Sequence, residues 1–233
     1  MKDFAERHVV VTGGGGFLGH AVVELLLARN AEVHVPAFGE KDAKRLADLK
    51  DERLHVKEGV DLADEAQVEA FYEGIGAAPW ASVHVAGGFV WGPIVDAGFE
   101  DLERMWRMNV ASCWLCCRAA ARRMKEAGEG GRIVNVSAKP ALVPAPNVAA
   151  YAPTKAAVAG LTLGLAEELR DAGVWVNAVA PSIMDTPANR EAMPDADFDA
   201  WPKVEGVAET IVFLASPRNA TTRGAIVPVY GGS

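Results

Sequence analysis

Short β-branched runs alternate along this chain with longer amphipathic segments, and that alternation limits the possible folds more than any other feature. The runs fall at 8–12, 32–36, 54–60, 81–86, 132–137, 174–180 and 225–229. The amphipathic segments fall between them, at 18–29, 41–49, 65–74, 99–127, 152–171 and 204–215. Strands that alternate with helices make βαβ units and a parallel sheet. Near-continuous apolar runs such as Val9-Val10-Val11 suit strands covered on both faces. The expected architecture is α/β: one doubly wound parallel seven-stranded sheet over residues 1–233, with helices on both faces. Its ligand cleft belongs at the carboxyl ends of the strands, near the switch in strand order.

Composition narrows the function classes. With 23 Lys+Arg against 31 Asp+Glu the net charge is −8. That balance argues against a general nucleic-acid binder or a polybasic membrane anchor. Half of the residues are hydrophobic, which excludes a disordered chain. No apolar run approaches the ~18 residues that span a bilayer. Met1 to Arg7 is polar and lacks a signal-peptide core, so a cytoplasmic location is expected. Cys113, Cys116 and Cys117 cluster in one helical stretch, unlike a disulfide framework. A Cys-x-x-Cys pair raises zinc or redox chemistry. With no His or further Cys seen to complete a ligand set, helix-core packing is expected and no metal is assigned.

Thr12-Gly13-Gly14-Gly15-Gly16-Phe17-Leu18-Gly19 follows the first strand and opens the first helix. Gly14, Gly16 and Gly19 satisfy G-x-G-x-x-G in the required strand–turn–helix setting. Such a loop lets backbone approach a pyrophosphate at a helix N-terminus. The second strand ends in Val35-Pro36-Ala37-Phe38-Gly39 with no carboxylate for a ribose diol. Lys41, Lys44 and Arg45 are candidates for a 2′-phosphate, or for the solvated face of a helix. The cofactor is therefore NADP or NAD, with a slight lean to NADP.

Tyr151-Ala152-Pro153-Thr154-Lys155 carries the chemistry. Pro153 is tolerated only in a first helical turn, which places Tyr151 and Lys155 four apart on one face. A phenol near pKa 10 is a poor acid–base group at neutral pH, and a nearby ammonium lowers that value. Ser137 ends the fifth strand, where its hydroxyl can bind a substrate carbonyl. Asn109 lies inside a long helical stretch that it does little to favour.

Together these pieces resemble the short-chain dehydrogenase/reductase family over essentially the whole chain. The matching residues are the 12–19 loop, Asp61-Leu62, Ala86-Gly87, Asn109, Ser137, Tyr151/Lys155, the stretch from Pro181 to Thr186, and Val229-Tyr230-Gly231-Gly232. The resemblance implies a Rossmann fold and a tetrad of Asn109, Ser137, Tyr151 and Lys155. Tyr151 is then the general acid/base, Ser137 orients the carbonyl, Lys155 tunes Tyr151 and grips the nicotinamide ribose, and Asn109 holds a relay water. It also implies cofactor contacts from Gly13, Gly16, Phe17, Leu18, Asp61, Leu62, Ala86, Gly87, Tyr151, Lys155, Pro181, Ile183 and Thr186. Asp61 would meet the adenine, Ala86-Gly87 the adenosine ribose, and Ile183 with Thr186 the carboxamide. A homodimer or homotetramer through the 99–127 and 152–171 helices is implied as well.

Three departures stand out. Phe17 replaces a motif glycine, and the Gly13, Gly16, Gly19 spacing is similar to that of epimerase-like relatives. His84-Val85 replaces a pair of Asn, which puts the bracing of that strand end in question. Ser182 replaces the glycine after Pro181. A short lid around 182–202, with Met184, Met193, Phe198 and Trp201, suits a small or medium apolar carbonyl or alcohol. Lys139 is open to two readings, an acid-binding group or a solvated one. The expected activity is NAD(P)-dependent interconversion of a carbonyl and an alcohol. A non-catalytic dinucleotide sensor, a pteridine-type reductase and a sugar-nucleotide epimerase are the alternatives.

Overall fold

The computed structural model describes residues 3–233, with Lys41 by its backbone alone; Met1 and Lys2 lie outside the described residues. Seven described strands form one sheet: β1 His8–Thr12, β2 Glu32–Ala37, β3 Leu54–Glu58, β4 Ala81–His84, β5 Gly131–Val136, β6 Val174–Pro181 and β7 Ile226–Val229. Their order is β3-β2-β1-β4-β5-β6-β7, and every pairing is parallel. The chain walks outward from β1 to β3, then returns past β1 to start β4. That reversal opens the crevice where ligands bind in such sheets.

The α-helices are α1 Phe17–Ala28, α2 Glu40–Leu46, α3 Glu65–Glu73, α4 Phe99–Met105, α5 Ser112–Ala127, α6 Ala152–Glu168, α7 Pro187–Ala192 and α8 Val204–Ala215. Alternation along β1 divides the core. Val9 and Val11 join Leu26, Val207 and Ile211 under α1 and α8. Val10 joins Ile133, Met124 and Val158 under α3, α5 and α6. Side chains on a strand alternate between faces, so three consecutive valines feed two separate cores.

Two expectations need correction. The 99–127 helix is not continuous, because a π turn over Trp106–Ala111 separates α4 from α5 and contains Asn109. A π turn adds one residue to the hydrogen-bonded ring, and hydrophobic periodicity does not reveal it. The third and fourth strands stop at Glu58 and His84, each two residues early. The lid also holds a short helix, α7, that the sequence reading did not anticipate. Among the described residues no helix is long and apolar enough to cross a membrane.

Candidate active site

The glycine loop is shaped by what cannot fit. Gly13 has φ +68°, and a Cβ there would lie 2.7 Å from the Ala86 nitrogen. A Cβ on Gly19 would collide with the Gly13 carbonyl oxygen. Strand, loop and helix therefore pack backbone on backbone. Gly16 caps α1 with no side-chain hydrogen bond, and the first turn carries no acidic residue. Unpaired N–H groups and the helix dipole are left to an outside anion. This cradle fits a dinucleotide pyrophosphate. Leu18 is buried beneath it, whereas Phe17 is exposed. Arg45 donates to the Gly15 carbonyl at 3.0 Å and lies 5.9 Å from the Phe17 ring. Lys44 instead pairs with Glu40 on the surface at 2.7 Å. The Lys41 side chain lies outside the described residues.

The bracing in question beside His84-Val85 is present. The Ala86 N–H donates to Thr12 Oγ1 at 3.1 Å, tying the segment after β4 to the end of β1. Asp61 accepts from the Ala63 N–H and from Arg107 Nη2, both at 2.8 Å, and the Ala63 bond is the main cause of its lowered pKa. Leu62 packs against the core beside it. Arg107 was not among the sequence candidates. It lies 46 residues from its partner, and no local pattern marks it.

Asn109, Ser137, Tyr151 and Lys155 gather at the ends of β4 and β5. The Gly88 N–H donates to Asn109 Oδ1 at 2.7 Å, and Asn109 Nδ2 donates to Gly88 O and to Thr154 Oγ1. A Cβ on Gly87 would stand 2.6 Å from Asn109 Oδ1 and 3.3 Å from Lys155 Nζ. The Ser137 hydroxyl donates to Lys155 O at 2.8 Å, and Lys155 Nζ donates to Val136 O at 2.9 Å. Lys155 Nζ lies 5.9 Å from the Tyr151 ring centre. Phe89 meets Tyr151 edge-on, with centroids 4.9 Å apart. The Gly92 N–H donates to Asn147 O at 2.8 Å, joining the loop after β4 to the one before α6.

The electrostatics differ from the sequence expectation. Burial pushes Tyr151 up to about 12 and Lys155 down to about 8. Desolvation by burial is the cause at Tyr151 and the leading cause at Lys155. The ammonium is turned to a backbone carbonyl.

The stretch from Pro181 to Thr186 leads from β6 into the lid. Pro181 pairs with Val229. Ser182 Oγ donates to Tyr230 O at 2.9 Å, so the serine fastens the loop to the chain end. Ile183 is exposed. Thr186 is buried, and its hydroxyl caps α7 by accepting from the Asn189 N–H at 3.2 Å. Asp185 bridges Arg190 and Lys203, whose hydrogen bonds draw its carboxyl far below the usual range. Trp201 is buried at the base of the lid. Lys139 Nζ lies 5.0 Å from the Tyr230 ring centre.

The three cysteines pack in the core as expected, with a neighbour that the sequence reading did not supply. His84 stands against Cys113 and Cys117, which face the sheet one helical turn apart, so a histidine does join two of the thiols. A hydrogen bond from Cys117, with His84 alongside, pulls the Cys113 thiol down, whereas burial pushes Cys116 and Cys117 up.

Comparison with known proteins agrees with this geometry. The family model for short chain dehydrogenases matches residues 7–197. A cis-4-hydroxycyclohexanecarboxylate dehydrogenase from Sinomonas cyclohexanicum is 36% identical over 99% of this chain and 98% of its own. A short-chain type dehydrogenase/reductase from Mycobacterium ulcerans superposes with TM-score 0.91 at 27% identity, covering 98% of this chain and 90% of the other. A gluconate 5-dehydrogenase from Burkholderia cenocepacia, in complex with NADP and tartrate, gives TM-score 0.89 at 26% identity, covering 99% and 96%. The chain belongs to the short-chain dehydrogenase family and is an NAD(P)-dependent oxidoreductase.

Proposed function

We propose that this single domain interconverts a carbonyl and an alcohol on a small or medium apolar substrate, with Tyr151 as general acid/base. The observation that carries the reading is that Asn109 Oδ1 and Lys155 Nζ meet beside Gly87, with Ser137 bonded to the Lys155 carbonyl and the Tyr151 ring centre 5.9 Å from Lys155 Nζ. A nicotinamide held there would provide the hydride chemistry at the substrate carbon. Tyr151 Oη gives a proton to the substrate oxygen in reduction and takes it back in oxidation. Ser137 must rotate its hydroxyl from Lys155 O to donate to that oxygen. Lys155 Nζ must turn from Val136 O toward the phenol and the nicotinamide ribose. Asn109, fixed by Gly88 and Thr154, holds the water through which Lys155 exchanges its proton.

Gly13, Gly16, Phe17 and Leu18 hold the pyrophosphate in this reading, Asp61 and Leu62 the adenine end, and Ala86 and Gly87 the adenosine ribose. Pro181, Ile183 and Thr186 hold the carboxamide. Exposed Phe89, Leu142, Val143 and Met193 supply apolar surface for the substrate around the 182–202 lid. A preference for NADP over NAD is supported by the missing carboxylate at the end of β2 and by Arg45 at the loop. Exposed Trp114 on α5 and Leu163 on α6 support a homodimer or homotetramer, which light scattering tests. Three free thiols support a cytoplasmic location.

The experiment is a nicotinamide absorbance screen with NADPH and NADH over alicyclic and small aliphatic carbonyls and alcohols. On any accepted substrate Tyr151→Phe loses turnover by about 10²–10⁴-fold while cofactor titration stays close to wild type. Near wild-type turnover in that variant would falsify the acid/base assignment. A protein that binds cofactor and turns over nothing on the panel favours the sensor reading.

A further inference from the structure

We propose that His84, Cys113 and Cys117 form a buried zinc(II) site, with the Asn135 side-chain oxygen as the fourth donor. His84 and Asn135 are register partners on β4 and β5, and α5 lays both thiols over them. All four residues are buried. The His and Cys donor atoms lie within 4.8 Å of one another.

Three of the six donor–donor edges have the spacing of a coordination shell. Cys117 Sγ is 3.4 Å from His84 Nδ1, and both thiols are 3.4 Å from Asn135 Oδ1. A tetrahedral zinc with ordinary Zn–S and Zn–N bonds sets its donors about 3.5 Å apart. The edge from His84 Nδ1 to Asn135 Oδ1, at 2.8 Å, has to open by roughly half an ångström or slightly more.

The protonated cluster is crowded with donors. His84 Nδ1–H and two S–H groups converge on the single oxygen of Asn135. A carbonyl oxygen offers two lone pairs. The amide cannot turn over freely, because its Nδ2 donates to Thr162 Oγ1 at 2.9 Å. A cation at the centre removes the conflict, since all four atoms then point lone pairs at it.

The second ring nitrogen is placed as a metal-bound histidine requires. His84 Nε2 lies 2.8 Å from Ser82 Oγ, which is 2.7 Å from the Tyr72 hydroxyl. That chain holds the ring with Nδ1 toward the thiols. Binding releases two thiol protons and shifts the His84 proton from Nδ1 to Nε2, which then donates it to Ser82 Oγ; a dication with two thiolates is neutral, as a buried site demands. Two sulfurs and an imidazole select zinc over magnesium, calcium or manganese. Cys116, turned toward Tyr72, takes no part.

The test uses the whole chain, refolded with zinc(II) or cobalt(II) and dialysed into metal-free buffer. Wild type and Cys116→Ser are expected to retain about one zinc per chain, as a closed structural site does. Cys113→Ser and Cys117→Ser are expected to retain less than about a tenth of that. The cobalt form of the wild type is expected to show thiolate-to-cobalt charge transfer and intense tetrahedral ligand-field bands. This readout needs no variant to fold. A wild type without retained zinc and without those bands overturns the site, as does equal zinc in Cys117→Ser.

Discussion

The two sides of the cleft are built by opposite means. At the end of β1 the loop works through the side chains it lacks: Gly13 and Gly19 let three backbone segments touch, and α1 presents bare N–H groups. At the ends of β4 and β5 the site works through side chains that are buried and held by backbone carbonyls, Lys155 on Val136 and Ser137 on Lys155. The contrast teaches where each side is vulnerable. The first responds to added volume, whatever its chemistry. The second responds to changed proton or charge, even at constant volume.

The largest expected effect lies on the second side. Lys155→Ala should cut turnover by about two decades or more and also weaken cofactor binding, since in the proposed mechanism one ammonium serves both. Parallel kinetics and cofactor titration check this, and a loss confined to turnover would detach Lys155 from the nicotinamide ribose. Next comes volume on the first side. Gly19→Ala forces a Cβ onto the Gly13 carbonyl and should cost about 1–3 kcal/mol of stability, together with cofactor binding. At Gly16 the added Cβ meets nothing closer than 3.4 Å, so Gly16→Ala should fold like wild type and lose only affinity. Denaturant melts with and without NADPH separate the two. Equal stability losses would mean that the loop is not built by sterics.

A pH-dependent effect, of comparable ceiling and reached only in acid, belongs to the first half of the sheet. Rings of His8, His34 and His55 stack across β1, β2 and β3. Burial first, then the charges of His55 and His8, lowers His34 from 6.5 to about 4, against a weaker opposing pull from Glu32. Below pH 6.5 the unfolded chain takes up a proton that the folded one refuses until about pH 4. Stability is therefore full above pH 6.5 and drains as pH falls to about 4, by at most about 3 kcal/mol. His34→Gln should flatten that acid slope in melts taken across the window. An unchanged slope would place the acid sensitivity elsewhere.

Much of the fold was legible in the residues. The strands sit where β-branched runs predict, because period-2 patterning and burial on both faces leave a local trace. The Tyr151–Lys155 spacing was legible because Pro153 fixes a helix start. The π turn around Asn109 was not, since one extra residue in a helical ring shifts hydrogen bonds without altering composition. Nor was the Asp61–Arg107 pair.

The order of glycines, hydroxyls, phenol and ammonium along the chain settled the family and the kind of chemistry, because those groups act through short-range geometry that local spacing encodes. What surrounds each group was decided only by folding. Desolvation, which sets Tyr151 near 12 and Lys155 near 8, and the meeting of His84 with two distant thiols, both depend on which elements pack together. Burial and through-space proximity are sums over the whole packed chain, and no stretch of it carries them alone.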